Sequence, residues 1–133
     1  MAFEGCSGFN GRLSIPSNLS TISKWASRDC SGFTGSLTIP DGVVSIDELA
    51  FSNCTGLTGN LIIPNSVTTI GNMAFAYCNG LDGNLIIPDN VTRMGYSAFK
   101  SCSGLNGKLV IGDGLTEISF SAFEGCTALK SVS

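Results

Sequence analysis

Cys54-Thr55-Gly56-Leu57-Thr58-Gly59-Asn60-Leu61-Ile62-Ile63-Pro64-Asn65-Ser66-Val67-Thr68-Thr69-Ile70-Gly71-Asn72-Met73-Ala74-Phe75-Ala76-Tyr77-Cys78 is the stretch on which the fold turns. It opens and closes on a cysteine, and the same frame repeats along the chain: Cys6, Cys30, Cys54, Cys78, Cys102 and Cys126 are each 24 residues apart. Ala2, Ala26, Ala50, Ala74, Ala98 and Ala122 keep the same step, and so do Phe3, Phe51, Phe75, Phe99 and Phe123, with Ser27 as the one substitute. Phe9, Phe33, Leu57, Leu81, Leu105 and Leu129 form another column. Leu13, Leu37, Leu61, Leu85 and Leu109 form the next, and Ile15, Ile39, Ile63, Ile87 and Ile111 run beside it. A fixed period of this size marks a stack of units that cannot bury their apolar faces singly.

Each unit has a physical reading. Leu61 and Ile63 alternate with Asn60 and Ile62, the period of a strand. Pro64 closes that strand because it has no N–H to give a neighbouring coil. Gly59 recurs as Gly11, Gly35, Gly83 and Gly107, which points to a turn at positive φ. Val67 and Ile70 match a second short extended or helical segment on the opposite side, and Ala74-Phe75 with Cys78 read as a tight helical turn. Stacking sets Leu61 between Leu37 and Leu85. The expected architecture is a repeat solenoid: a parallel β-sheet on the concave face, with short second strands or helical turns on the convex side. Residues 1–133 form one such domain of about five and a half coils, on the order of 26 Å long at the spacing of paired strands.

These segments resemble the BspA-like, or Treponema pallidum type, leucine-rich repeats. The likeness rests on Leu-x-Ile-Pro at Leu61–Pro64, Val-Thr-x-Ile-Gly at Val67–Gly71 and Ala-Phe-x-x-Cys at Ala74–Cys78, and it covers essentially the whole chain. The resemblance implies a cell-surface or secreted protein concerned with adhesion to host proteins or neighbouring cells. One departure is informative, since the family's commonest repeat is a residue shorter. Here three residues separate Leu57 from Leu61, a glycine among them; between Leu129 and Val132 there are two, and Ser131 replaces the glycine. The extra residue and the glycine travel together, as a small bulge requires.

Several function classes fall away. Seven Lys and Arg are scattered singly through a chain of net charge −3, which makes no basic stripe for nucleic acid. Aliphatic runs such as Leu61-Ile62-Ile63 stop at a proline, so no membrane insertion is expected, and Met1-Ala2-Phe3-Glu4 does not read as a secretory signal. With no histidine, a Ser-His-Asp triad, a Cys-His pair and the common zinc ligand sets are excluded. No catalytic residue, metal or cofactor is expected. The acidic column Asp41, Asp89 and Asp113 reads as turn formers after the proline position. The cysteines could bridge neighbouring coils, whose spacing suits a disulfide. Their place between the Phe and Leu columns favours buried thiols acting as apolar filler. Trp25 shares a column with Leu49 and Met73 in the coil where Ser27 replaces phenylalanine, so its indole is expected to fill the vacated space. Asn18, Asn53 and Asn90 stand in sequons, which matter only in a eukaryotic source.

The candidate binding residues are the outward strand positions: Arg12, Ser36, Asn60, Asn84 and Lys108 in one column, Ser14, Thr38, Ile62, Ile86 and Val110 in the other. Exposed β-branched residues rimmed by Asn and Lys suit a protein partner, although the same residues also simply favour strands. The alternative is a spacer that stacks end to end: either further repeats continue the array, of which the chain is then an excerpt, or the ends stack between molecules.

Overall fold

The computed structural model describes residue 8 and residues 10–133; Ala2, Phe3, Cys6 and Phe9 lie outside them. Among the described residues there are nine short strands: β1 (Thr21–Ile22), β2 (Ser45–Ile46), β3 (Gly59–Asn60), β4 (Thr69–Ile70), β5 (Leu81–Asp82), β6 (Leu85–Ile87), β7 (Arg93–Met94), β8 (Lys108–Ile111) and β9 (Ser131–Val132). Every pairing is parallel. The chain is a β-solenoid whose coils return about every 24 residues, as in a leucine-rich repeat.

Each coil has three sides. The front carries Thr38 beside Ile62 and the pair β6–β8, where Leu85, Ile86 and Ile87 lie beside Leu109, Val110 and Ile111. The second side is the sheet β1-β2-β4-β7, in which Ile22, Ile46, Ile70 and Met94 point inward and are buried. The second segment is therefore extended, because alternation at Thr69-Ile70 serves one buried face.

The third side differs from the expected helical turn, for no helix occurs among the described residues. Residues 24–29, 48–53, 72–77, 96–101 and 120–125 are runs of turns. In one coil the N–H groups of Ala74, Ala76 and Cys78 donate back to Gly71, Met73 and Phe75 at 3.2–3.3 Å. Those of Met73, Phe75 and Tyr77 reach across to the carbonyls of Tyr96, Ala98 and Lys100 at 2.7–3.0 Å. Half the donors fold the turn and half build a third inter-coil ladder, which an α-helix could not do. The geometry needs left-handed residues: φ is 60° at Leu49, 53° at Met73 and 64° at Tyr77. A left-handed side-chain-bearing residue costs about 1–2 kcal/mol. The cross-coil bonds and the burial of Ala74, Phe75 and Cys78 at 0% exposure offset it.

The core is one cluster running the length of the stack. Its spine is a phenylalanine ladder: Phe51–Phe75, Phe75–Phe99 and Phe99–Phe123 have ring centroids 5.3, 5.2 and 5.8 Å apart, with planes within 15° of parallel.

The glycine column produces a change of register. Gly11, Gly35 and Gly59 lie beside Phe33, Leu57 and Leu81, a step of 22 residues, whereas Thr38 lies beside Ile62, a step of 24. The upper coil inserts the difference as a bulge between those points. Gly35, Gly59 and Gly83 sit there at φ 75–79°. Gly107 does not share the left-handed φ. A Cβ there would instead run into the Asn84 carboxamide and backbone. Past it, where Ser131 replaces glycine, Lys108 and Leu109 pair directly with Ser131 and Val132, a step of 23.

Candidate protein-binding face

Strand alternation at the front turns Leu61, Ile63, Leu85, Ile87 and Leu109 inward and leaves the intervening side chains to solvent. Of the ten sequence-derived candidates, Arg12, Ser14, Ser36, Thr38, Asn60, Ile62, Asn84, Ile86 and Lys108 are exposed and Val110 is half-buried. Ile62 and Ile86 are 71% and 52% exposed, so packing against each other does not remove them from water.

Four of these residues come together. Asn60, Ile62, Asn84 and Ile86, with Asn65 and Pro88, line a dimple of about 200 Å³ across the third and fourth coils. Lys108 and Val110 lie one coil beyond, beside Asn84 and Ile86. Arg12 is distant from the dimple, and its side chain lies along Gly35, at 3.5 Å from where a Cβ would stand.

The asparagines have a second task that the sequence reading missed. The Asn84 Oδ1 accepts the backbone N–H of Lys108 at 2.8 Å, and the Asn106 Oδ1 accepts that of Gly83 at 3.1 Å. The Asn60 carboxamide lies against Gly83 in the bulge. Bulging leaves backbone donors without a ladder partner, and short amide side chains from the adjacent coil satisfy them. The pairing of Asn with the next coil's glycine was the available signal. Once Oδ1 is engaged, the Asn84 Nδ2 is left as a donor at the surface.

The acidic column lies at the downstream margin of this face, with Asp41, Asp89 and Asp113 exposed. The Asp89 Oδ1 accepts the Asp113 N–H at 3.2 Å, the role of a turn former repeated between coils. Among the described residues no three His, Cys, Asp or Glu side chains converge as a metal site would need.

The thiols do more than fill space. Sγ of Cys54, Cys78, Cys102 and Cys126 reaches the carbonyls of Ser27, Phe51, Phe75 and Phe99 in the coil before, at 2.9–3.0 Å. These four are free thiols. Burial pushes the Cys78 thiol up to about 12 and raises Cys54 as well. Cys102 is raised first by its hydrogen bond with Cys126 and then by burial, and that same bond lowers Cys126. Cys54, Cys78 and Cys102, held protonated in this way, are poor nucleophiles. On the opposite margin the Ser121 hydroxyl and Lys100, 3.4 Å away, hold Glu124 below the usual carboxylate range.

Trp25 corrects the sequence reading. Its ring lies half-buried beneath the Lys24 ammonium, 4.7 Å from the ring centroid, and its Nε1 is buried without a hydrogen-bond partner. Ser27 and Phe51 line a cavity of about 260 Å³ in which Trp25 has no part. Trp25, at φ 61°, is left-handed like Leu49 and Met73 of its column, and the indole does not fill the space beside Ser27.

A larger cavity, about 720 Å³, opens outside the front face against β7, lined by Arg93, Tyr96, Glu117 and their neighbours. It forms where Thr116–Ser119 leaves the path of β7: Ile118 is 55% exposed, although Ile22, Ile46, Ile70 and Met94 in its column are buried. Ile118 keeps the apolar residue of its column, so the repeat gave no signal of this opening.

Comparison with known proteins agrees with the geometry. The model of the BspA type leucine-rich repeat region matches residues 1–106 in six copies. Among solved structures, the leucine-rich repeat protein of T. pallidum is 30% identical with a TM-score of 0.88, matching 99% of this chain and 59% of its own. A leucine-rich cell surface protein of Faecalibacterium prausnitzii is 30% identical with a TM-score of 0.81, over 94% of this chain and 32% of its own. A leucine-rich repeat protein of Bacteroides ovatus is 26% identical with a TM-score of 0.77, over 99% and 39%. The chain thus spans less than two thirds of the length of each of these. No curated protein matches it.

Proposed function

The chain belongs to the BspA-type leucine-rich repeat family, and from that membership we propose that it is a non-catalytic protein-interaction or adhesion module of a cell-surface or secreted protein. The front face engages the partner. The observation that carries this reading is the exposed pair Ile62 and Ile86, lining a dimple with Asn60 and Asn84, with Lys108 exposed one coil beyond. Natural solenoids concentrate binding on such continuous faces, and a desolvatable apolar centre with a polar rim is the anatomy of a protein interface. Surface location draws support from the cell surface protein of Faecalibacterium prausnitzii, to which the chain is similar.

The test is capture on an array of purified extracellular-matrix and bacterial surface proteins, with the Ile62→Asp/Ile86→Asp variant as control. Binding by the wild type that the variant loses, at an unchanged melting temperature, is the expected result. Binding to nothing on the array, or equal binding by both chains, counts against it.

The second reading, end-to-end stacking as a spacer, draws on the apolar residues that the fifth coil turns outward, Ile118 and Phe120, 55% and 87% exposed. It predicts a sedimentation coefficient that rises with concentration and falls back in a Phe120→Asp variant.

A further inference from the structure

Resting on the reading of the front as a protein-binding face, we infer that its occupant is an extended peptide segment carrying one aliphatic anchor between an acidic and a basic residue. Three observations point to that chemistry. The dimple between Ile62 and Ile86, about 200 Å³, has room for one aliphatic side chain and not for a helix face. Its upstream margin offers donors, since the Asn84 Oδ1 is already engaged by the Lys108 N–H, and Lys108 itself makes no ion pair among the described residues. Its downstream margin is acidic, with Asp89 and Asp113 exposed in successive coils.

The spacing sets the pattern. Asn84 and Lys108 precede Ile86 and Val110 by two residues, and Asp89 and Asp113 follow them by three. β6 ends at Ile87 and Asp89 stands in the turn that follows Pro88, so the two margins flank the dimple from opposite ends of the strand. A peptide laid along the strands therefore meets them in the order acidic-x-aliphatic-x-x-basic, or its mirror if it runs the other way. On its far edge β6 pairs with β8, and the side-chain chemistry at the two margins sets the specificity.

The test is a titration of the isotopically labelled chain, followed by amide NMR shifts, with three blocked hexapeptides: Asp-Gly-Leu-Gly-Gly-Arg, Asp-Gly-Leu-Gly-Gly-Asp and Arg-Gly-Leu-Gly-Gly-Arg. The mixed peptide is expected to bind about fivefold more tightly than either other, the scale of one surface ion pair, with shifts centred on Asn60, Ile62, Asn84 and Ile86. In the Asp89→Lys/Asp113→Lys chain the doubly acidic peptide becomes the tightest. Equal affinities, no shifts, shifts mapping elsewhere, or preference for the doubly basic peptide overturn the inference; the last is what a net charge of −3 alone would give. If the peptides fail while Ile62→Asp/Ile86→Asp still abolishes capture on the array, the front-face reading stands and only this motif falls.

Discussion

The turn side and the front of the solenoid solve the same stacking problem with opposite tolerances. On the turn side Ala74, Phe75 and Cys78 are wholly buried, their columns are nearly invariant in sequence, and the backbone accepts left-handed φ at Met73 and Tyr77 to keep its cross-coil ladder. On the front the inward Leu and Ile columns are equally uniform, but the outward column runs from Ser14 and Thr38 to Ile62 and Ile86. Within this chain, uniformity marks packing and variation marks the surface that is free to be specialised.

The contrast breaks hardest at the phenylalanine ladder. Phe75→Ala removes a ring stacked at 5.3 and 5.2 Å between two others, and a loss of about 3–5 kcal/mol is expected in urea unfolding. A loss under about 1 kcal/mol would mean that the spine closes over the gap.

Alkaline pH is next. A buried thiol whose pKa rises from 9.0 to about 12, as at Cys78, keeps its proton in the folded state while the unfolded chain releases it. Stability is therefore complete below about pH 9 and falls as pH rises toward 12, by about 1.4 kcal/mol per pH unit for each such thiol. Cys78→Ala should flatten that slope in pH-dependent unfolding; an unchanged slope would place the effect elsewhere.

Glycine substitutions sharpen the comparison in both directions. At Gly59, with φ 77°, a Cβ meets only an ordinary contact with Ser36 at 3.7 Å, so Gly59→Ala isolates the conformational cost of the bulge, about 1–2 kcal/mol. Ser101 holds φ 57° in the column where Gly125 stands, and Ser101→Gly should gain up to about 1 kcal/mol. A destabilised Ser101→Gly would show that the turn run does not strain its side chains. Thermal unfolding of both variants reads these changes.

Much of this is legible in the sequence alone. The Cys, Ala, Phe, Leu and Ile columns led directly to parallel stacking, because only in-register coils satisfy every column at once. The glycine that disappears with the extra residue at Ser131 marked the bulge. Two features escaped for physical reasons. The Ala-Phe-x-x-Cys segment has helical spacing, yet its donors go to the next coil, and sequence spacing does not say which carbonyl an N–H will find. Column compensation puts the Trp25 indole in the space beside Ser27, whereas a cavity lies there and the ring lies beneath Lys24. On the front face, the columns identified Ile62 and Ile86 as outward-facing but could not show that Asn84 also braces a bulged backbone.

The most direct test is the unfolding free energy of Ile62→Thr/Ile86→Thr, measured in urea beside Phe75→Ala. If the front column is surface held ready for a partner, the double variant stays within about 0.5 kcal/mol of wild type, as exposed substitutions do, while Phe75→Ala collapses. A comparable loss in both would contradict the account, because Ile62 and Ile86 would then belong to the packing of the solenoid.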